Sequence, residues 1–180
     1  MTLDTITNEV ESIRAEAKRE QDFYSHTLTQ IDNDTTLSPA GKDAEKEQFR
    51  AASQSRLRAL RQKEEAALDR EISTLMHRIE SPRSPGNTDI IAFRDAQDRA
   101  DRIEDDDEAT RLLERALRQG DSSLAHAIFR ASMDSNYRQA IKTFIRHKPE
   151  LATAIEDLQR LNGAKQNSFE RTVAYGFLAR

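Results

Sequence analysis

The chain contains few residues that end α-helices. Four prolines and five glycines occur among its 180 residues, whereas average usage predicts roughly 9 prolines and 13 glycines. Because few breakers leave long uninterrupted segments, the composition favours long helices with few turns. No segment alternates apolar and polar residues in the manner of a half-buried strand. The sequence therefore predicts an all-α fold without a β-sheet.

Two apolar stripes indicate a long helical hairpin, coiled-coil-like, over residues 3–80. The apolar residues of the first stripe recur at alternating steps of three and four residues, which is typical of a coiled-coil seam. Glu20 interrupts this stripe. Turn residues follow at 32–36, and Ser38-Pro39 has the form of an N-cap followed by proline at the first helical position. The first stripe comprises Leu3, Ile6, Val10, Ile13, Ala17, Tyr24, Leu28 and Ile31. The second comprises Phe49, Ser53, Leu57, Leu60, Ala67 or Leu68, Ile72, Leu75 and Ile79.

The second helix of this hairpin is predicted to overhang the first. At ~1.5 Å per residue the helices are about 43 Å and 62 Å long. The overhang carries four apolar side chains, Ile72, Leu75, Met76 and Ile79, whose burial is worth roughly 6–12 kcal/mol before ordering costs. Either the C-terminal part of the chain or a second copy could cover them. Because two prolines stiffen the segment that follows, we expect a second copy and hence a homo-oligomer.

The segment 81–87 is the one clear linker, since it holds two prolines, a glycine and small polar residues. After it, short amphipathic segments are separated by Gly120, by the turn at 134–136, by Pro149 and by Asn162-Gly163. They predict a small bundle of short helices with its own core. The predicted domains are therefore a hairpin over 1–80, a linker over 81–87 and an independently folding bundle over 88–180.

The sequence offers no catalytic, cofactor-binding or metal-binding motif. It contains no cysteine, and no two of its four histidines are three or four residues apart, as a helical metal pair requires. The segment 32–43 places oxygen side chains as half a calcium loop does, but Leu37 stands where the loop needs glycine, which favours a capping role. We therefore expect no enzyme activity, no cofactor, no metal and no small-molecule substrate.

The distribution of charged residues indicates one candidate interaction surface. The formal net charge is −4, without the basic excess of a dedicated nucleic-acid binder. The acidic run 104–108 is either a solvated joint or the first turn of a helix, where acidic side chains favour the dipole. Arg138, Lys142 and Arg146 step by four and share one helix face, within a basic group that extends from Arg130 to Lys148. This face is either solvated or a docking surface for an acidic partner. That partner is the chain's own acidic run or another protein, and nucleic acid is the less favoured alternative.

The order of these parts resembles a known class of phage proteins. A helical hairpin, a Ser/Pro linker and a helical bundle resemble the helical accessory proteins encoded among the virion genes of tailed bacteriophages, and the scaffolding proteins match best in function. The stretches 116–128, 137–140 and 147–158 look like a segment common in actinobacterial phage proteins, so the resemblance covers about residues 109–161 by pattern and the rest by architecture. It implies a non-enzymatic, oligomeric structural or assembly protein that contacts capsid or other virion proteins, and it carries over no functional residue. A coiled-coil adaptor or regulatory protein without a virion role is the alternative.

The sequence also bears on the compartment. The first residues lack the basic region and apolar core of a signal peptide. No run approaches the ~18 apolar residues that a membrane helix needs. We therefore expect a soluble protein with no membrane partner, located in the cytoplasm, or in the host cytoplasm or virion if a phage encodes it.

Overall fold

The computed structural model describes residues 3–80 and 90–176. These residues form eight α-helices and one 3₁₀ turn at Pro149–Leu151, and no β-strand lies among them. The predicted all-α fold is therefore confirmed, while the predicted linker 81–87 lies outside the described residues. The helices are α1 (Leu3–Asn33), α2 (Pro39–Glu80), α3 (Ile90–Ala100), α4 (Asp106–Gln119), α5 (Ser122–Ser135), α6 (Arg138–His147), α7 (Ala152–Gln166) and α8 (Ser168–Tyr175).

The described residues divide into two compact units. Residues 3–73 and 161–176 form the hairpin unit, and the described part of 74–160 forms the bundle unit. The boundaries fall inside α2 and α7, so they differ from the predicted boundary at 81–87. The C-terminal helix α8 belongs to the hairpin unit, whereas the sequence predicts it within a bundle over 88–180. The difference arises because α8 packs along α1.

In the hairpin unit, α1 and α2 are antiparallel neighbours within one chain. Ile13 and Ala17 of α1 pack with Leu57 of α2 in a buried cluster, which Tyr175 of α8 completes. Three ion pairs join α1 to α2: Glu9 with Arg70, Glu16 with Lys63, and Glu20 with Arg56. The residue number of the partner on α2 decreases as the residue number on α1 increases. This order confirms the predicted intrachain hairpin.

Side-chain caps hold the turn between α1 and α2. The Asp34 carboxylate accepts a hydrogen bond from the Thr36 backbone N–H at 2.7 Å. The Ser38 hydroxyl oxygen accepts one from the Gly41 N–H at 3.1 Å, and Pro39 is the first residue of α2. The predicted cap is therefore confirmed, and Asp34, one oxygen side chain of the calcium-like pattern, serves the backbone of this turn.

In the bundle unit, α4, α5 and α6 pack against one another, and α3 packs on α5. The rings of Phe129 and Phe144 are fully buried and stack with their centroids 4.3 Å apart. Burying such rings removes a large apolar area from water. The same unit fully buries the predicted core residues Leu113, Ile128, Ile155 and Leu158.

Two glycines predicted to end helices behave differently. Gly120 lies in the left-handed region at φ 72° and ends α4, as predicted. The prediction that Asn162-Gly163 ends the next helix is wrong, because α7 continues to Gln166. A glycine inside a helix costs only ~0.5–1 kcal/mol, which contacts of the last turn can outweigh. One such contact is the ion pair of Lys165 with Asp69 at 2.6 Å.

Candidate interaction surface

The apolar end of α2 is covered within the chain. Leu75 and Ile79, both in the bundle unit, are 6% and 1% exposed, whereas Ile72 and Met76 are half-buried. The prediction that a second copy covers this end is therefore wrong for Leu75 and Ile79, because the chain's own residues already cover them. The last residue of α2 lies beside α5, where Glu80 and Arg130 form an ion pair at 3.6 Å.

Three basic side chains form an exposed row along α6, called here the basic row: Arg138, Lys142 and Arg146. The opposite face of α6 is buried through Ala140, Ile141, Thr143 and Phe144. The helix holds no acidic residue, and none of the three cations forms an ion pair with a residue that the structure describes. Arg146 donates a hydrogen bond to the Thr143 hydroxyl at 2.7 Å. The shared face predicted from their spacing is therefore present, and it points away from the core.

The start of α6 is fixed by a residue of α4. The Asp106 carboxylate accepts hydrogen bonds from the backbone N–H groups of Gln139 and Ala140, with distances between 3.0 and 3.1 Å. The neighbouring Asp105 caps α4 itself, since its carboxylate accepts from the Glu108 N–H at 2.7 Å. The acidic run thus forms the start of α4, one of its two predicted roles. The cap on α6 has no signal in the sequence, because the two residues are more than 30 positions apart.

The remaining basic residues of the predicted group do not join the row. Arg130 is paired with Glu80. The His126 ring lies 5.8 Å from the Phe144 ring, and burial, with a smaller contribution from the Lys148 ammonium, lowers the pKa of His126 below its usual value. Within the predicted group, the exposed basic face therefore consists of Arg138, Lys142 and Arg146.

A second row of cations lies on α4, which sequence reasoning missed. Arg111, Arg115 and Arg118 are exposed, at steps of four and three, on the face opposite the buried Ala109, Leu113 and Ala116. Their spacing was the available signal, because residues three and four apart share a helix face. Arg118 pairs with Glu114 of the same helix at 3.7 Å.

A buried carboxylate joins three helices of the hairpin unit. Glu64 of α2 is fully buried and accepts two hydrogen bonds from the Arg14 guanidinium of α1, both at 2.9 Å. It also accepts one from the Tyr175 hydroxyl of α8 at 2.5 Å. Sequence reasoning missed Glu64. The signal was the gap that it fills in the second stripe, between Leu60 and Ala67.

The network fixes the charges of its members. Burial alone would raise the pKa of Glu64, but the hydrogen bonds from Arg14 and Tyr175 outweigh it and lower that pKa. The hydrogen bond with Glu64 raises the pKa of Arg14 further, and burial raises the pKa of the Tyr175 phenol. Glu64 and Arg14 are therefore charged and Tyr175 is neutral around pH 7. Such an arrangement attaches helices to one another and offers no group that exchanges protons near neutrality.

The helix α8 is attached through its inner face and exposes an apolar outer face. The Gln21 side-chain amide donates a hydrogen bond to the Gly176 carbonyl at 2.6 Å, beyond the end of α8. Phe169 and Val173 of α8 are 76% and 45% exposed, and Phe23 of α1 is 54% exposed. Exposed apolar side chains of this size are available for contact with another protein surface.

Among the residues that the structure describes, no three His, Asp or Glu side chains are grouped so as to hold a metal ion. In the same part of the chain, no helix is both long and apolar enough to cross a membrane. Comparison of the chain with known protein families, curated proteins and solved structures finds no match. The choice among functions therefore depends on the geometry of these surfaces.

Proposed function

We propose that the protein is a non-enzymatic structural or assembly protein that binds other protein chains through its helical surfaces. This is the role of the scaffold-like virion proteins of tailed phages that its sequence resembles. The observation that supports the proposal most directly is the basic row. Arg138, Lys142 and Arg146 are exposed on one face of a helix without acidic residues, and they lack ion-pair partners in the described chain.

The basic row suits an acidic helical segment of a partner protein. From position 138 to position 146 the helix advances about 12 Å, with one cation about every 6 Å. Carboxylates that step by four along a partner helix have the same spacing. Complementary charges of this kind steer association and select the partner, and their effect falls as the salt concentration rises.

The local packing prepares α6 for this role. Phe144 anchors the middle of the helix in the core, and the Asp106 carboxylate holds its first turn. The backbone is therefore fixed before a partner arrives, and binding orders only side chains, which lowers the entropy cost. Because Asp105, Asp106 and Glu108 already cap or begin helices, a segment of another protein is favoured over the chain's own acidic run as the partner.

Fluorescence anisotropy tests the basic row. The probe is a labelled 16-residue helical peptide with glutamates at every fourth position, titrated with wild type and with Arg138→Gln/Lys142→Gln/Arg146→Gln. Exposed ion pairs contribute ~0.2–1 kcal/mol each, so we expect about tenfold weaker binding by the α6 triple variant. The matched control, Arg111→Gln/Arg115→Gln/Arg118→Gln, removes the same charge from α4 and should bind almost as wild type does. Equal weakening by both triple variants would contradict a specific row.

A nucleic-acid partner is the alternative that one observation favours, since α4 carries a second row of three arginines. A labelled 20-base-pair DNA duplex replaces the peptide in the same titration. Duplex binding that falls steeply with salt and weakens in both triple variants would support this alternative over the protein partner.

Self-association is the second part of the proposal, and the apolar face of α8 is its proposed surface. The sequence predicts self-association through the end of α2, but Leu75 and Ile79 are buried there. Phe169 and Val173 are exposed and are therefore the proposed contact residues. Sedimentation velocity at tens of micromolar should show an oligomer for wild type and a shift toward monomer for Phe169→Glu/Val173→Glu. A monomeric wild type at that concentration would refute self-association.

A further inference from the structure

A cleft of about 200 Å³ opens in the bundle unit between the last turn of α4, the start of α5 and the end of α6. Leu117 and Phe144 are among the apolar residues of its wall. Its polar residues include His126 of α5, His147 of α6 and Lys148, which follows α6, together with Asp121. The cleft thus combines an apolar wall with nitrogen groups from two helices, as sites for small ligands do.

The nitrogen groups differ in how far they are already engaged. The Nδ1 atom of His147 lies 3.0 Å from the Thr143 carbonyl oxygen, which can only accept, so Nδ1 carries a proton. Lys148 forms no ion pair with a residue in the described part of the chain. His126 and Lys148 line the same cleft, and burial, with a smaller contribution from the Lys148 ammonium, lowers the pKa of His126.

Asp121 is the carboxylate that lines the cleft among the described residues, and it is already engaged. Asp121 caps α5, since its carboxylate accepts a hydrogen bond from the Leu124 N–H at 3.0 Å. It opposes anion binding by its charge, but it does not neutralise Lys148. The cleft therefore holds an ammonium and two imidazoles, and no residue in the described part of the chain pairs with them as a counter-ion.

We propose that this cleft binds a small oxyanion, a carboxylate or a phosphate group. Lys148 and His126 hold the oxygens, and an apolar part of the ligand rests on Leu117 and Phe144. The basic row contributes none of these side chains. This proposal and the proposed docking of an acidic partner can therefore fail separately.

The test follows the histidine ring protons of the full-length protein by NMR. Sodium phosphate, acetate and butyrate are added in turn, and sodium chloride at equal ionic strength is the reference. Oxyanion binding should shift the His126 ring signals in a saturable manner. It should also raise the pKa of His126, because an anion offsets both Lys148 and burial. If phosphate shifts the His126 signals and the two carboxylates do not, the ligand is a phosphoryl group. If butyrate binds more tightly than acetate, the ligand is a carboxylate with an apolar tail.

Two single variants distinguish the cleft from general attraction of anions. Lys148→Gln should weaken binding about tenfold, as expected when one charge-assisted hydrogen bond is lost. Arg160→Gln removes the same charge from an exposed position of α7 outside the cleft and should leave the affinity unchanged. His126→Gln, followed through the His147 signals, should also weaken binding. Shifts no larger than those with chloride, or equal weakening by Lys148→Gln and Arg160→Gln, would overturn the proposal.

Discussion

The bundle unit and the hairpin unit fill their interiors with different chemistry. In the bundle unit the largest buried side chains are the stacked rings of Phe129 and Phe144, and its buried polar residues, Ser132 and Thr143, are uncharged. In the described chain every buried charged residue lies instead in the hairpin unit: Glu64, Glu71 and Arg171. The described elements of both units are helices, so the contrast lies in what holds these helices together.

The two kinds of interior select the packing of their helices in different ways. Apolar burial is strong but does not depend on direction, so it tolerates several arrangements of similar volume. Two long helices with a seven-residue repeat could slip by one repeat at a modest cost in apolar contact. Such a slip would separate Glu64 from Arg14 and leave a buried carboxylate unpaired, which is costly. We infer that the network specifies the register of the hairpin more than it adds to its stability.

The largest expected effect is in the bundle unit. Phe144→Ala should lower the free energy of unfolding by ~3–5 kcal/mol, because it removes a fully buried ring and leaves a cavity beside Phe129. The control is Phe169→Ala, which removes an exposed ring and should change stability by less than about 0.5 kcal/mol. Urea unfolding followed by circular dichroism measures both. A loss under about 1 kcal/mol for Phe144→Ala would show that the aromatic pair is not the main support of this core.

The second prediction concerns the hairpin unit. Glu64→Leu should cost about 3 kcal/mol, because the Arg14 guanidinium and the Tyr175 hydroxyl lose their acceptor. Replacing the whole network by Arg14→Leu/Glu64→Leu/Tyr175→Phe should cost less than the single change, since no charge is left buried. Glu47→Leu, on an exposed position of α2, is the control and should have little effect. A triple variant less stable than Glu64→Leu would show that the network stabilises the hairpin rather than specifying its register.

The third prediction is that the interior of the hairpin unit contributes to the pH dependence of stability, whereas the aromatic core of the bundle unit does not. The pKa of Glu64 is lowered in the folded state from its ordinary 4.5. The stability that Glu64 contributes is therefore present above the unfolded pKa and is lost as pH falls through the folded pKa. Wild type and Phe144→Ala should lose stability with parallel slopes below about pH 4.5, whereas Glu64→Gln should lose less. Urea unfolding at several pH values checks this, and equal slopes for all three proteins would contradict it.

The smallest expected effect concerns the cap that α4 provides for α6. Asp106→Ala should cost ~1 kcal/mol, the usual value for losing a helix cap, because Gln139 and Ala140 lose their acceptor. Asp107→Ala is a matched control, since Asp107 lies in the same first turn of α4 but is exposed. Thermal melts compare the two. Equal losses would mean that Asp106 acts only through the dipole of its own helix.

Features that depend on neighbours in sequence could be predicted. The period of the two stripes predicts the helices of the hairpin, and Ser38-Pro39 and Gly120 mark where helices begin or end. The spacing of Arg138, Lys142 and Arg146 likewise places them on one face of α6. Each of these depends on the geometry of one or two helical turns, which the order of residues determines by itself.

Which helix faces pack against each other depends on the tertiary structure. The sequence shows that the end of α2 and the face of α8 are apolar, but burial has no direction, so it does not say which of them is covered. The structure buries Leu75 and Ile79 and leaves Phe169 and Val173 exposed. It also joins Glu64 to Tyr175 and Asp106 to the start of α6 across long stretches of chain. Such pairings depend on the total free energy of packing all the helices at once. No local pattern of residues determines that free energy.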